Sequence, residues 1–280
     1  MTYIRHLPSP PLDAYIDDIY YMDGSALYPR QKIFPMPVNQ LMINFGQAFQ
    51  VHDLTPVRPF PACSDSWWVG PWSTAHIVDW PSHVQFLGVH FKPGGAYPFL
   101  RFPQVELHNQ VVLLDLTWGS YAKEMRERLF TAPTIHAGLD LFERLLLARL
   151  DDPLDGQDIV QYAVTEIARQ HGALSIRGLS DHIGISQNHL ARQFNRMVGL
   201  APKELARLYR LKHILCSIDP GQPVDWTLVA HQPGYYDQSH FNKDFLTLTG
   251  FTPSDYLSLS RRVYAENPDY RRISLNLPIG

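Results

Sequence analysis

Five residues in one short stretch, Gln187, Asn188, Ala191, Arg192 and Arg196, recur at helical spacing. They would share the outer side of one helix, leaving Leu190 and Phe194 for its inner side. An Asn amide matches the major-groove edge of adenine bidentately, and an Arg guanidinium does the same for guanine. Asn188 and Arg192 thus carry chemistry that can read bases, while Arg196 is better placed for a phosphate. About fifty residues on, Gln238, Ser239, Asn242 and Lys243 repeat the arrangement around Phe241 and Phe245. A different chemistry is suggested near residue 70, where Trp67, Trp68, Trp72 and Trp80 crowd together with His76, His83 and His90 nearby. Aromatic walls with a few polar groups are what small-molecule pockets look like. Trp67, Trp72, His76, Trp80 and His90 are the candidate ligand-binding residues there, and plain core packing is the competing reading.

The elements that must position the first two sets are legible as an internal repeat. GISQNHLARQFNRMVGLAP (184–202) and GYYDQSHFNKDFLTLTGFTP (234–253) align with one extra residue in the second turn. Leu190 pairs with Phe241, Phe194 with Phe245, Gly199 with Gly250 and Pro202 with Pro253, which marks one supersecondary unit used twice. Each copy has a first helix (Ile176, Leu179, Ile183; Trp226, Val229, Ala230) and a glycine able to take positive φ. A capping Ser186 or Asp237 then opens the second helix, and a proline at the first position of a new helix closes the unit. This is the helix-turn-helix signature, in which the second helix enters the major groove. The copies are not equal. Leu246 is apolar and Asp244 adds a negative charge in the second, and Pro233 restricts Gln232 before its turn, so the second helix is expected to add less affinity. Lys203, Arg207, Arg210 and Lys212 on the joining helix are either a solvated face or backbone contacts.

The rest of the chain divides around residues 152–156. Fourteen of the 23 prolines precede Val105, and strands are expected at 15–22, 40–45, 75–80 and 84–91. Those strands are apolar on both faces, as in a sandwich or barrel interior. Helices follow at 121–130 and 134–150, then at 157–171, 176–183, 187–198, 203–218, 225–232, 238–249 and 253–264. A net charge of −3 argues against nucleic acid, but its distribution does not: residues 1–156 carry −5 and residues 157–280 carry +2. No apolar run approaches the ~20 residues of a membrane span. The N-terminus lacks a signal-peptide core, and Cys63 and Cys216 read as two free thiols, so a cytoplasmic protein is expected.

The tandem units resemble the AraC/XylS-type transcription regulators, through Val229-Ala230, Gly234-Tyr235, Asp237-Gln238-Ser239-His240-Phe241 and Gly250-Phe251-Thr252-Pro253. The resemblance implies an α+β chain of two domains. Residues 1–152 would form a cupin-like β-barrel with following helices, for effector sensing or dimerisation. Residues 157–265 would form the all-α DNA-binding domain. It implies a double-stranded operator and RNA polymerase as partners, a homodimer, positions 188, 191 and 192 facing bases, and no enzyme activity. Gly88-Val89-His90-Phe91-Lys92-Pro93-Gly94-Gly95 is similar to effector domains of some such regulators. Cupin barrels often hold a metal, but the usual His-x-His pair with a following Glu is missing and no carboxylate matches the seven-residue spacing of His76, His83 and His90. No metal or cofactor is expected. If the front domain dimerises, the helix at 134–150 would carry the interface through Leu139, Phe142 and Leu146.

Overall fold

A computed structural model describes residues 1–54, 57–100, 102–151, 156–230, 234–268, 270 and 276–279. The front half is built from β1 (Thr2–His6), β2 (Ile16–Ser25), β3 (Arg30–Ile33), β4 (Asn39–Asn44), β5 (Gln50–Leu54), β6 (Val57–Pro59), β7 (Ser66–Val69), β8 (His76–Asp79), β9 (His83–Phe91) and β10 (Val111–Leu113). A short helix α1 (Tyr97–Leu100) follows β9, and α2 (Asp115–Trp118), α3 (Ser120–Phe130) and α4 (Ile135–Leu147) follow β10. The four strands expected from alternation are present as β2, β4, β8 and β9.

The strands form two antiparallel sheets, one in the order β1-β2-β9-β4-β7-β10 and one containing β3-β8-β5-β6. The six-stranded sheet is buried on both faces, which explains why its strands are apolar at successive positions. Tyr20, Met42, Trp67, Val84 and Phe86 face Val51 and Val78 of the second sheet. The alternate residues Ile19, Leu41, Ile43, Trp68, Leu87 and Val89 face the layer of α2 to α4. Gly88 is bare because the Tyr20 ring fills its place, where a Cβ would lie 2.3 Å from Tyr20 Cζ. The expected barrel is not closed. Both sheets keep free edges among the described residues, and no cupin-like closure is formed. Leu139, Phe142 and Leu146 are also not a dimer surface, since they are fully buried against Ile19, Leu41 and Trp68 in the layer beneath α4. The amphipathic stripe was real, but this chain's own sheet covers it.

The segment 152–155, read as a linker, lies outside the described residues. Beyond it come α5 (Gln157–Arg169), α6 (Ile176–Ile183), α7 (Gln187–Met197), α8 (Pro202–Ser217), α9 (Trp226–Ala230), α10 (Gln238–Thr249) and α11 (Pro253–Glu266). Their core runs from Val160 through Phe194 and Leu211 to Phe245 and Tyr256, and it continues into the front half through Phe34, Ala75 and Tyr97. The chain then returns to the front half: β11 (Leu277–Pro278) pairs antiparallel with β3 and becomes an edge of the second sheet. Nothing in the composition of the last residues announced that strand.

Candidate nucleic-acid interface

Each helix-turn-helix unit is set by local chemistry before tertiary contacts are counted. In the first, Ser175 caps α6 by accepting from Gly178 N–H at 3.2 Å, and Gly184 ends it at φ +81°. Ser186 caps α7 by accepting from His189 N–H at 3.1 Å. Leu190, Phe194 and Met197 are buried, which turns Gln187, Asn188, Arg192 and Arg196 outward and leaves Ala191 half-buried between them. In the second, Gly234 has φ +107° and Asp237 accepts from His240 N–H at 2.7 Å to open α10. Phe241, Phe245 and Leu248 are buried there, and Gln238, Ser239, Asn242 and Lys243 are exposed. Gly199 and Gly250 both take positive φ, and Pro202 and Pro253 then open α8 and α11. All nine candidate DNA-contacting residues thus lie on the two second helices, eight of them on the open faces.

Three details depart from expectation. Arg196 is anchored at one end: its Nε–H donates to the Tyr97 hydroxyl, and the guanidinium carbon lies 5.4 Å from the centre of the Tyr97 ring. Asp244 adds no negative charge to the open face of α10. It is 6% exposed and accepts from Arg207 Nε at 2.8 Å, so burial of Phe241 and Phe245 carries it inward to a cation on α8. Of the four cations on α8, Lys203 and Lys212 are exposed, whereas Arg207 and Arg210 are held by Asp244 and by the Gly172 carbonyl. Leu246 is exposed, as read from its spacing. Gln232 and Pro233 lie outside the described residues. Tyr97 was missed altogether, because no periodicity relates residue 97 to residue 196.

The front half grips each unit differently. The turn at 104–107 packs against α7, and Gly199 lies so close that a Cβ would meet Gln104 O at 2.6 Å. The second unit is held by its closing turn instead: Ala75 N–H donates to Leu248 O at 2.9 Å, and Lys32 Nζ donates to Gly250 O at 3.3 Å while sitting 3.7 Å over the Phe251 ring.

The aromatic candidates fall inside the sheet sandwich. Trp67 and Trp72 are buried, the Trp72 and His76 rings stack at 4.0 Å, and Phe49 contacts both Trp67 and Trp80 at 4.8 Å. Burial pushes His76 down to about 3, so its ring is neutral at physiological pH. Trp67 Nε1, Trp72 Nε1, Trp80 Nε1 and His76 Nδ1 are buried without a hydrogen-bond partner among the described residues. His90 stands apart from this group. It shares a sheet face with Phe86, stacks on Tyr20 at 4.5 Å and bonds Asp18 Oδ1 at 2.7 Å. His83 pairs with Asp23, so the seven-residue histidine spacing brings no common site together. Among the described residues no three His, Cys, Asp or Glu side chains converge as a metal site. Burial pushes the Cys63 thiol up to about 12, which removes it as a redox nucleophile. No helix among the described residues is long and apolar enough to cross a membrane.

The chain is similar to known proteins in two blocks. A domain family of unknown function matches residues 4–113, and a helix-turn-helix domain family matches residues 179–258. The arabinose operon regulatory protein of Salmonella typhimurium is 25% identical over 192 residues, which cover 64% of this chain and 60% of that protein. Among solved structures, a point variant of apo ToxT from Vibrio cholerae covers 86% of this chain and 97% of its own at 12% identity, with a TM-score of 0.45. Wild-type ToxT from the same organism with a bound unsaturated fatty acid covers 85% and 94% at 12% identity, with a TM-score of 0.44.

Proposed function

We propose that the chain is an AraC/XylS-type transcription regulator that reads a specific double-stranded operator under the control of a small molecule held in its front domain. The observation that carries the DNA reading is the pairing of two capped helices whose apolar faces close one continuous core and whose polar faces stay open. In this reading Asn188 and Arg192 bond base edges, with Gln187 and Ala191 beside them, and Gln238, Ser239, Asn242 and Lys243 form the second contact. The units 1–152 and 157–265 remain the working division, with β11 as a tie from the second back to the first. A homodimer and a contact with RNA polymerase belong to the same family premise, and any dimer would use surfaces other than the covered face of α4. Selection of bound duplexes from a random pool tests the reading. Enrichment of one sequence supports it, and recovery of unenriched DNA refutes it.

The effector reading rests on the four unpartnered ring nitrogens inside the sandwich. A buried donor without a partner costs about 1–3 kcal/mol, and an acceptor-bearing ligand would recover that stabilisation. Trp67, Trp72, His76 and Trp80 would line such a site, and His90, already bonded to Asp18, would stand at its edge. An effector must raise the melting temperature and change DNA affinity together, because the two are linked. Trp72→Phe removes one orphaned donor and trims a buried ring system to a single ring, so the variant's melting temperature without ligand is the reference. It should leave the fold intact while weakening the ligand's effect on both readouts; an unchanged response removes Trp72 from the site.

A further inference from the structure

Where the two helix-turn-helix units meet, a cavity of about 250 Å³ opens between three separate stretches of chain, walled by Gln170, His171, Arg210, His213 and Tyr235. The turn after α5 is unusually tight: His171 has φ +50°, and Gly172 has φ +73° with a Cβ position only 1.9 Å from Ala206 O. That approach lays the His171 ring on His213 of α8, centroids 4.1 Å apart and nearly parallel. One turn earlier on α8, Arg210 donates Nη1–H to Gly172 O at 2.7 Å, and its Nε is buried without a hydrogen-bond partner among the described residues. The third wall is Tyr235 from the turn of the second unit, whose ring lies 5.5 Å from the Arg210 guanidinium carbon.

The balance of charge is one-sided. One fixed cation, the Arg210 guanidinium, and two imidazoles face the space, and among the described residues no carboxylate lines it. The neighbouring acids are engaged elsewhere, Glu166 with Arg169 and Gln170, and Asp244 with Arg207. Burial and the adjacent His171 both hold His213 below the ordinary histidine range, so its ring meets an anion as an N–H donor. We propose that this cavity binds a phosphate group, with the Arg210 guanidinium and the two imidazole N–H groups as its donors. A phosphate oxygen accepts from several directions at once, and charge-assisted bonds of this kind are about twice as strong as neutral ones. Because the walls come from the turn after α5, the joining helix α8 and the turn that precedes α10, an occupant would also tie these three stretches together.

The phosphate has two sources, a free phosphate-bearing molecule or the DNA backbone, and two measurements on the full chain separate them. The first is calorimetric titration with inorganic phosphate at constant ionic strength set by chloride. The second is the salt dependence of binding to a duplex of arbitrary sequence. Both compare the natural chain with the His171→Gln/His213→Gln double variant, and with His213→Asn alone should the double variant melt early. Saturable phosphate binding weakened tenfold or more in the variant supports a free ligand. No calorimetric binding, with duplex affinity lowered in the variant across the whole salt series, supports a backbone phosphate. Identical behaviour of the natural and variant chains in both measurements overturns the proposal. The calorimetric arm contains no DNA, so its result stands whether or not the operator reading holds.

Discussion

The two helix-turn-helix units share one plan of caps, glycines and prolines, yet they use their charges in opposite ways. The first has Arg192 open to solvent and Arg196 tied to Tyr97 of the front half. The second turns its acid inward, where Asp244 meets Arg207, and leaves Lys243 and an exposed Leu246 on its open face. One unit thus has its recognition helix held from outside, and the other is held from within by an ion pair and from outside only at its closing turn. A repeat in sequence is therefore not a repeat in mechanics, because identical local geometry leaves every outward or inward charge to be settled by the neighbouring elements.

The largest expected effect attacks the internal pair. Arg207→Ala leaves Asp244 buried without its cation, and loss of one partner of a buried pair costs about 3 kcal/mol or more. Chemical denaturation should show that loss, while the double replacement Arg207→Ala/Asp244→Asn recovers part of it. Arg192→Ala in the first unit removes no internal contact and should shift stability by less than about 0.5 kcal/mol. If the two single variants are equally stable, the contrast between the units fails. On DNA the order reverses. Arg192→Ala should weaken operator binding by about 1–3 kcal/mol and relax the preference at one base pair. Lys243→Ala should weaken all sequences alike and lower the salt slope by about one unit. Equal losses of specificity in a binding titration at fixed salt would return the two helices to equal rank.

How far the sequence reached follows the range of the interactions. Helix spans such as 176–183 and 238–249 were legible because Ser175, Ser186, Asp237 and the αL glycines act within a few residues of where they stand. Strands β2, β4, β8 and β9 were legible from apolar runs, whereas β3 is mostly polar in sequence and β11 forms only because Leu277 reaches Lys32 across most of the chain. The outward candidates of α7 and α10 followed from helical period alone. The role of Arg196 did not, and neither did the inward turn of Asp244, since a charge at a given spacing can face solvent or a partner on another element. The covered face of α4 teaches the same thing: an apolar stripe declares that it will be buried, not against what.

The smallest effect tests the tie itself. Tyr97→Phe keeps the buried ring, so the packing around Val160 and Val198 should hold, but it removes the hydroxyl that accepts from Arg196. A freed guanidinium near the end of the recognition helix can neutralise one more phosphate, and each such contact steepens the salt dependence by about one unit. The variant should bind DNA more tightly at low salt and lose that advantage as salt rises. Lys32→Met offers the matched control on the other unit. It releases Gly250 O and the Phe251 ring but frees no cation on α10, so the salt slope should stay where it was while the melting temperature falls. A steeper slope in both variants would mean that the front half restrains the whole helical region as one body. A steeper slope in Tyr97→Phe alone assigns the restraint to the Arg196 contact, and with it the difference between the two units.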